Sequence, residues 1–254
     1  SLGEQDETVA RGTADMKLDV LAIGSHPDDV ELGCGGTLAQ MAGAGLAVGI
    51  LHLTRGEAGT RGSEAQRRQE AEEAARILGA VALEFMDCGD GQLRHGPEEE
   101  DALIEHLRNW RPELVLGPAP SDRHPDHGRA HRLVADCSFY SGLARRGSGE
   151  PHRPAAVFSY MQHDPFEPSF VVDVSTSWEV KLEALAAYGS QLYQGDDSDE
   201  GPRTKVASPE FRQAIEGRAH HFGLMIGASY GEPFWSRLPL AVSNPLDVLP
   251  GGLR

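Results

Sequence analysis

Two short clusters of side chains could do chemistry in this chain of 254 residues. The first is Ser25-His26-Pro27-Asp28-Asp29, with Glu31 close behind. Adjacent carboxylates repel, and each raises the pKa of the other unless a cation or a proton lies between them. The second is Asp122-Arg123-His124-Pro125-Asp126-His127. Taken alone, the first cluster reads equally well as a polar turn in which Asp28 or Asp29 caps a helix. The recurrence of His-Pro-Asp changes that balance. His26, Asp29 and His127 together make two imidazoles and one carboxylate, the ligand set that leaves zinc an open position for water. Asp28 adjoins the ligand Asp29 and cannot readily bind the same ion, so it is free to accept a proton from water. Asp126 could orient the ring of His124 or that of His127 and fix its tautomer. A protonated His124 would stabilise an oxyanion or donate to a departing amine.

The elements that must position these groups come next. Apolar runs at 18–25, 46–54, 81–88 and 114–118 show little alternation, as strands buried on both faces do. Helical stretches at 31–44, 64–78 and 97–110 alternate with them, with Ser63 and Gln66 as a capping box and Pro97 in a first turn. This order predicts an α/β fold: a single-domain, Rossmann-like, doubly wound and mostly parallel sheet with helices on both faces. In such a sheet the loops at the carboxyl ends of the strands form the ligand crevice, which places both clusters on one edge. Further on, the pattern predicts a helix over 126–143 and strands at 156–162 and 169–174. A helix opened by a Thr176/Glu179 box and running to Tyr188 follows, then one from the Ser208-Pro209 cap to about Ile226. Residues 1–16 read as a mobile tail ahead of a domain spanning 17–254, and the acidic segment 195–207 as a solvated loop or lid. After Gly231 no period is visible.

With 23 basic and 39 acidic residues the formal charge is −16, which excludes a general phosphate-tracking surface for nucleic acid. No run reaches the roughly 18 apolar residues of a membrane helix. Cys34, Cys88 and Cys137 are an odd, scattered set, which points to reduced thiols and a cytoplasmic location. Arg55, Arg61, Arg67 and Arg68 could form a local anion pocket, or could pair with Glu57, Glu64 and Glu70 on a solvated face. Arg67, and after it Arg55, are the substrate-binding candidates. The run Gly33-Cys34-Gly35-Gly36 is no nucleotide loop; its small residues let the first helix pack closely beneath the site.

GSHPDDVELGCGGTLA together with PSDRHPDHGRAH resembles the LmbE-like, or PIG-L, deacetylases, zinc hydrolases that remove acetyl groups from N-acetylglucosamine-type sugars. The resemblance implies one Zn²⁺ per chain on His26, Asp29 and His127, Asp28 as general base, a His124 and Asp126 pair on the oxyanion side, and Arg67 in the pocket. PSFVVDVS, YGSQL and FGLMIGASYGEPF look most like the bacillithiol-pathway branch, which acts on N-acetylglucosaminyl malate. That likeness implies a homo-oligomer, trimer or hexamer, with a small acetylated amino sugar as substrate and neither nucleic acid nor membrane as partner. Another N-acetylglucosamine conjugate or a chito-oligosaccharide is the alternative substrate. Where some relatives place an oxyanion tyrosine, this chain has His220-His221, leaving those histidines, Tyr188 or Tyr193 as candidates for the role. A reading of another class is a Mg²⁺-dependent signalling receiver built on Asp87, but it leaves both histidine clusters unexplained and lacks a suitably placed lysine.

Overall fold

The computed structural model describes residues 16–192, 202 and 204–248. The expected tail (all but Met16), Tyr193 and most of the expected lid lie outside the described residues. The first apolar run becomes strand β1 (Val20–Gly24), whose side chains alternate between two cores. Val20 and Ala22 join one, Leu21 and Ile23 the other. That double burial is why the run shows no polar alternation.

In chain order there follow α1 (Asp29–Gly43), β2 (Val48–His52), α2 (Glu64–Leu78), β3 (Ala82–Phe85), α3 (Pro97–Trp110), β4 (Leu114–Gly117), α4 (Pro125–Tyr140) and β5 (Ala156–Tyr160). Then come β6 (Phe170–Asp173), α5 (Trp178–Ala186), α6 (Pro209–Met225) and β7 (Gly231–Trp235). The sheet order is β3-β2-β1-β4-β5-β7-β6, parallel through β5, with β7 antiparallel to both of its neighbours. One core packs beneath α1, α2 and α5, and the other beneath α3 and α4, as the doubly wound reading requires.

Local signals hold in most places. Ser63 accepts from the Gln66 N–H at 3.2 Å, and Gly79 closes α2 in the left-handed conformation, φ 77°. Ser208 caps α6 through the Phe211 N–H at 3.2 Å. The Thr176/Glu179 box does not form: Ser177 is the residue before the helix, it makes no side-chain cap, and α5 ends before Tyr188. Strand β7 was not legible from its pattern. It is five residues long and contains Pro233, which sits beyond the end of the β5 ladder, where a residue without an N–H is tolerated.

Helix α1 is broken at Cys34 (φ −144°, ψ 20°), and each broken end is satisfied from another element. The Glu232 carboxylate of β7 accepts from Gly36 N–H (3.0 Å), Thr37 N–H (2.7 Å) and the Thr37 hydroxyl (2.6 Å), capping the second half. Lys181 (3.0 Å) and Arg218 (3.1 Å) donate to the Leu32 carbonyl that ends the first half. Gly33 is needed here, because a Cβ would lie 2.1 Å from the Tyr160 ring.

Candidate active site

Strand order reverses between β1 and β4, the switch point of an open α/β sheet. The turn after β1 delivers His26, Asp28 and Asp29; the turn after β4 delivers Asp122, His124, Asp126 and His127. The loop after β3 adds Asp90, and the exit of β5 adds Gln162 and His163. Ring nitrogens of His26, His124 and His127 converge within 4.8 Å of one another.

Asp29 stands between two of these rings. Its Oδ1 is 3.3 Å from His127 Nε2 and its Oδ2 is 3.5 Å from His26 Nδ1. Gln162 Nε2 donates to Oδ1 at 2.6 Å, and the His26 N–H to Oδ2 at 2.9 Å. The far nitrogen of each ring rests on other carboxylates. His26 Nε2 is 3.2 Å from both Asp126 and Asp90, and His127 Nδ1 is 3.0 Å from Asp122. Carboxylates behind both imidazoles orient them and raise their basicity, the arrangement that metal-ligating histidines use.

The electrostatics ask for positive charge. Burial alone would lower His26, yet hydrogen bonds to Asp126, Asp29 and Asp90 raise it well above its ordinary value. His127 behaves alike: burial opposes, while the Asp29 charge and the Asp122 hydrogen bond push it up to about 9. A buried cluster of this kind holds either protons or a cation. The donor set of His26, Asp29 and His127, with two imidazoles and a carboxylate, fits a divalent metal of the zinc type.

Asp28 differs from every other carboxylate here. Its backbone is left-handed (φ 99°), and its side chain makes no cap hydrogen bond. Burial pushes it up to about 7, with Arg67 opposing and Asp29 reinforcing the shift. Arg67 is 4% exposed; it donates to the Pro27 carbonyl at 2.8 Å and the Gly56 carbonyl at 3.1 Å, while its Nε has no partner among the described residues. The predicted pocket arginine therefore lies directly behind the predicted base.

Three expectations change. Asp126 orients neither His124 nor His127: its side chain serves His26, and it also accepts from Gly91 N–H (2.7 Å), Leu93 N–H (3.1 Å) and Arg129 (3.0 Å). His124 is not held as an imidazolium. Burial, then the charges of His26 and His127, lower its pKa, and its Nδ1 accepts from the Asp126 N–H at 3.2 Å. A neutral ring in that position must carry its proton on Nε2. Arg55 is exposed and pairs with Glu64 at 3.3 Å, as the solvated-face reading has it.

The oxyanion candidates also separate. The Tyr188 hydroxyl donates to Glu31 at 3.1 Å, and burial pushes Glu31 up to about 8. His220 is exposed and bonded to the Ser229 carbonyl at 2.9 Å. His221 alone of these three lines a cavity shared with His163. Asp87, the acid of the receiver reading, is exposed; the acid that enters the cluster after β3 is Asp90.

The profile of the PIG-L family, described as GlcNAc-PI de-N-acetylase, matches residues 21–138. The diacetylchitobiose deacetylase of Thermococcus kodakarensis is 34% identical, covering 68% of this chain and 70% of that protein. This chain belongs to the PIG-L deacetylase family. The fold agrees: the crystal structure of the conserved protein TT1542 from Thermus thermophilus superposes with a TM-score of 0.81 at 39% identity, covering 89% of this chain and 97% of that one. A 4-oxalmesaconate hydratase of Pseudomonas putida is 29% identical, covering 67% of this chain and 73% of the hydratase.

Within this PIG-L chain, sequence reasoning missed Asp90, Gln162 and His163, and gave Asp122 a place in its cluster but no role. Asp122 had a signal, because it stands five residues before a predicted ligand at the exit of a strand. Gln162 and His163 close a strand whose carboxyl end faces the same crevice, a rule that could have been applied to β5 as it was to β1 and β4. Among the described residues no helix is long and apolar enough to cross a membrane.

Proposed function

We propose that this PIG-L deacetylase is a zinc enzyme acting on N-acetylglucosaminyl malate, working in the cytoplasm as a homo-oligomer, trimer or hexamer. The observation that supports the chemistry most directly is Asp28: a buried carboxyl that makes no cap hydrogen bond and has no side-chain partner among the described residues, pushed up to about 7, next to a carboxylate shared by two histidines. A general base is most effective when its pKa lies near working pH. His26, Asp29 and His127 would hold the metal, and Asp122, Asp90 and Asp126 would keep the two rings aligned. Zinc held there would supply Lewis acidity toward water and the acetamide carbonyl.

The chain's own groups do the rest. Asp28 takes the proton of the attacking water. The Nε2–H of neutral His124 donates to the carbonyl oxygen as negative charge builds on it. Asp28, now protonated, passes its proton to the departing amine, which leaves acetate and a free amino sugar. Arg67, lodged behind Asp28, keeps this carboxyl from rising further and so preserves a deprotonated fraction at neutral pH.

Three buried free cysteines support a reducing compartment. Exposed Leu224, Met225, Leu238 and Leu246 support a subunit contact, to be measured by light scattering. The substrate assignment is tested by acetate release from N-acetylglucosaminyl malate beside free N-acetylglucosamine and diacetylchitobiose. A strong preference for the first is expected, and equal rates would undo it. Because a relative of this scaffold is named a hydratase, acetate is the product to follow.

A further inference from the structure

An acidic aglycone such as malate needs counter-charges, and the arginines at 55–68 are already engaged. Arg55 pairs with Glu64, Arg68 with Glu72, and Arg67 holds backbone carbonyls beneath Asp28. A second set of cations lies elsewhere. A cavity of about 360 Å³ adjoins the metal cluster, the size class of small-molecule sites. It shares two residues with the cluster's wall: Gln162, whose amide holds Asp29, and His163, whose ring stacks on His127 with centroids 5.7 Å apart. Phe211 and Arg218 of α6 line it further, and Lys205 stands just before that helix.

Among the described residues no carboxylate lines this cavity, although the chain carries 39 acidic residues and a net charge of −16. Arg218 donates only to the neutral carbonyls of Leu32 and Gln162, and forms no ion pair among the described residues. Glu232 and Asp122, whose fields reach Arg218, are both engaged elsewhere, Glu232 by Lys181 and Thr37 and Asp122 by His127 and the His163 N–H. Lys205 likewise has no carboxylate partner among the described residues. Two cations around a cavity that no carboxylate lines among the described residues make a place where negative charge is favoured locally against a repulsive global field.

We propose that this cavity is a subsite for an anionic group, carboxylate or phosphate, that the substrate carries beyond its acetamide, with Arg218 and Lys205 selecting for it. This rests on the deacetylase reading of the adjoining cluster. It differs from the sequence-based expectation in moving anion recognition from the arginines at 55–68, Arg67 first among them, to the α6 side.

The test measures acetate release from three N-acetylglucosaminides: a neutral methyl glycoside, the malyl conjugate and the 1-phosphate. The wild-type enzyme should prefer an anionic conjugate over the neutral one by roughly tenfold or more, and the better anion identifies the group. Lys205→Gln should cut that preference about fivefold, through KM and not kcat, and Lys205→Glu should reverse it. Arg218→Gln, checked by thermal melting because Arg218 also holds Leu32, should act in the same direction. Equal turnover of all three conjugates overturns the proposal, as does a preference that neither Lys205 variant moves. If no conjugate yields acetate, the deacetylase reading fails separately, and calorimetric binding of the same three compounds decides the subsite: anionic preference lost in Lys205→Glu supports it, and equal binding refutes it.

Discussion

The tripeptide His-Pro-Asp occurs twice at the edge of one sheet, and its two copies do opposite things. In His26-Pro27-Asp28 the histidine is braced by carboxylates and the aspartate is left alone, in a left-handed backbone, with a pKa pushed up to about 7. In His124-Pro125-Asp126 the histidine takes a backbone N–H and is kept neutral, while the aspartate is held by four donors and lowered below its ordinary value. Asp126 is wholly buried, and Asp28 is 8% exposed. Low exposure alone thus does not separate a reactive carboxylate from a structural one. What separates them is the number of donors aimed at the oxygens, because a carboxylate with several donors stays ionised and inert toward protons.

Breaking each copy should therefore produce a different failure. The largest effect is expected from Asp28→Asn, which should retain the metal, as read by elemental analysis, and lose about 10³-fold in kcat. A variant with full turnover would remove Asp28 from the chemistry. Asp126→Asn should instead weaken metal affinity by about 10–100-fold, with activity recovering in excess metal, because its effect passes through the alignment of His26. If Asp126→Asn lost turnover at saturating metal, the two aspartates would not be as distinct as their contacts make them.

A third difference lies underneath. The first turn leaves β1 beside His52, which is fully buried, has no side-chain hydrogen bond to either ring nitrogen among the described residues, and is pushed down by burial to about 3. Its folded pKa lies below the unfolded value near 6.5, so the unfolded chain takes up the proton first. Stability from this residue is complete above that value and falls as the pH drops toward 3. The loss should reach about 2 kcal/mol by pH 5 relative to pH 7. Measured by urea unfolding, the wild type should lose that increment relative to His52→Leu between pH 7 and pH 5, the other titrating groups being common to both. The smallest effect concerns the strained backbone itself. Asp28→Gly should raise stability by about 1 kcal/mol while abolishing turnover, because glycine accepts a positive φ freely. A destabilised Asp28→Gly would mean that the Asp28 side chain contributes to the fold as well.

Much of this architecture was legible because it is written locally. Strands β1, β2 and β4 are short apolar runs buried on two faces, and Ser63, Gly79 and Ser208 mark helix ends with their own hydrogen bonds or backbone angles. Both His-Pro-Asp turns and the convergence of His26, Asp29 and His127 could be reached from strand order alone. The rest depends on partners distant in sequence. Asp126 reads as the natural partner of His124, two residues away, but a turn that starts a helix points the two side chains apart, and the ring within its reach is that of His26. Strand β7 has no period because it closes a ladder between β5 and β6, and its place is defined by those neighbours. The lowered pKa of His124 could not be anticipated either, since it follows first from burial in the folded turn and then from the neighbouring rings of His26 and His127.

The break in α1 bears on which part of the chain can stand alone. Residues 21–138 contain both turns and carry the family match, yet the helix behind the first turn takes its cap from Glu232 and its terminating donors from Lys181 and Arg218. The recognisable half is therefore not an autonomous half. A polypeptide ended anywhere between residues 138 and 232 would keep every residue of both motifs and still leave three donors of α1 without their acceptor. Domain shuffling or fragment complementation in this lineage has to carry the last strand along with the first.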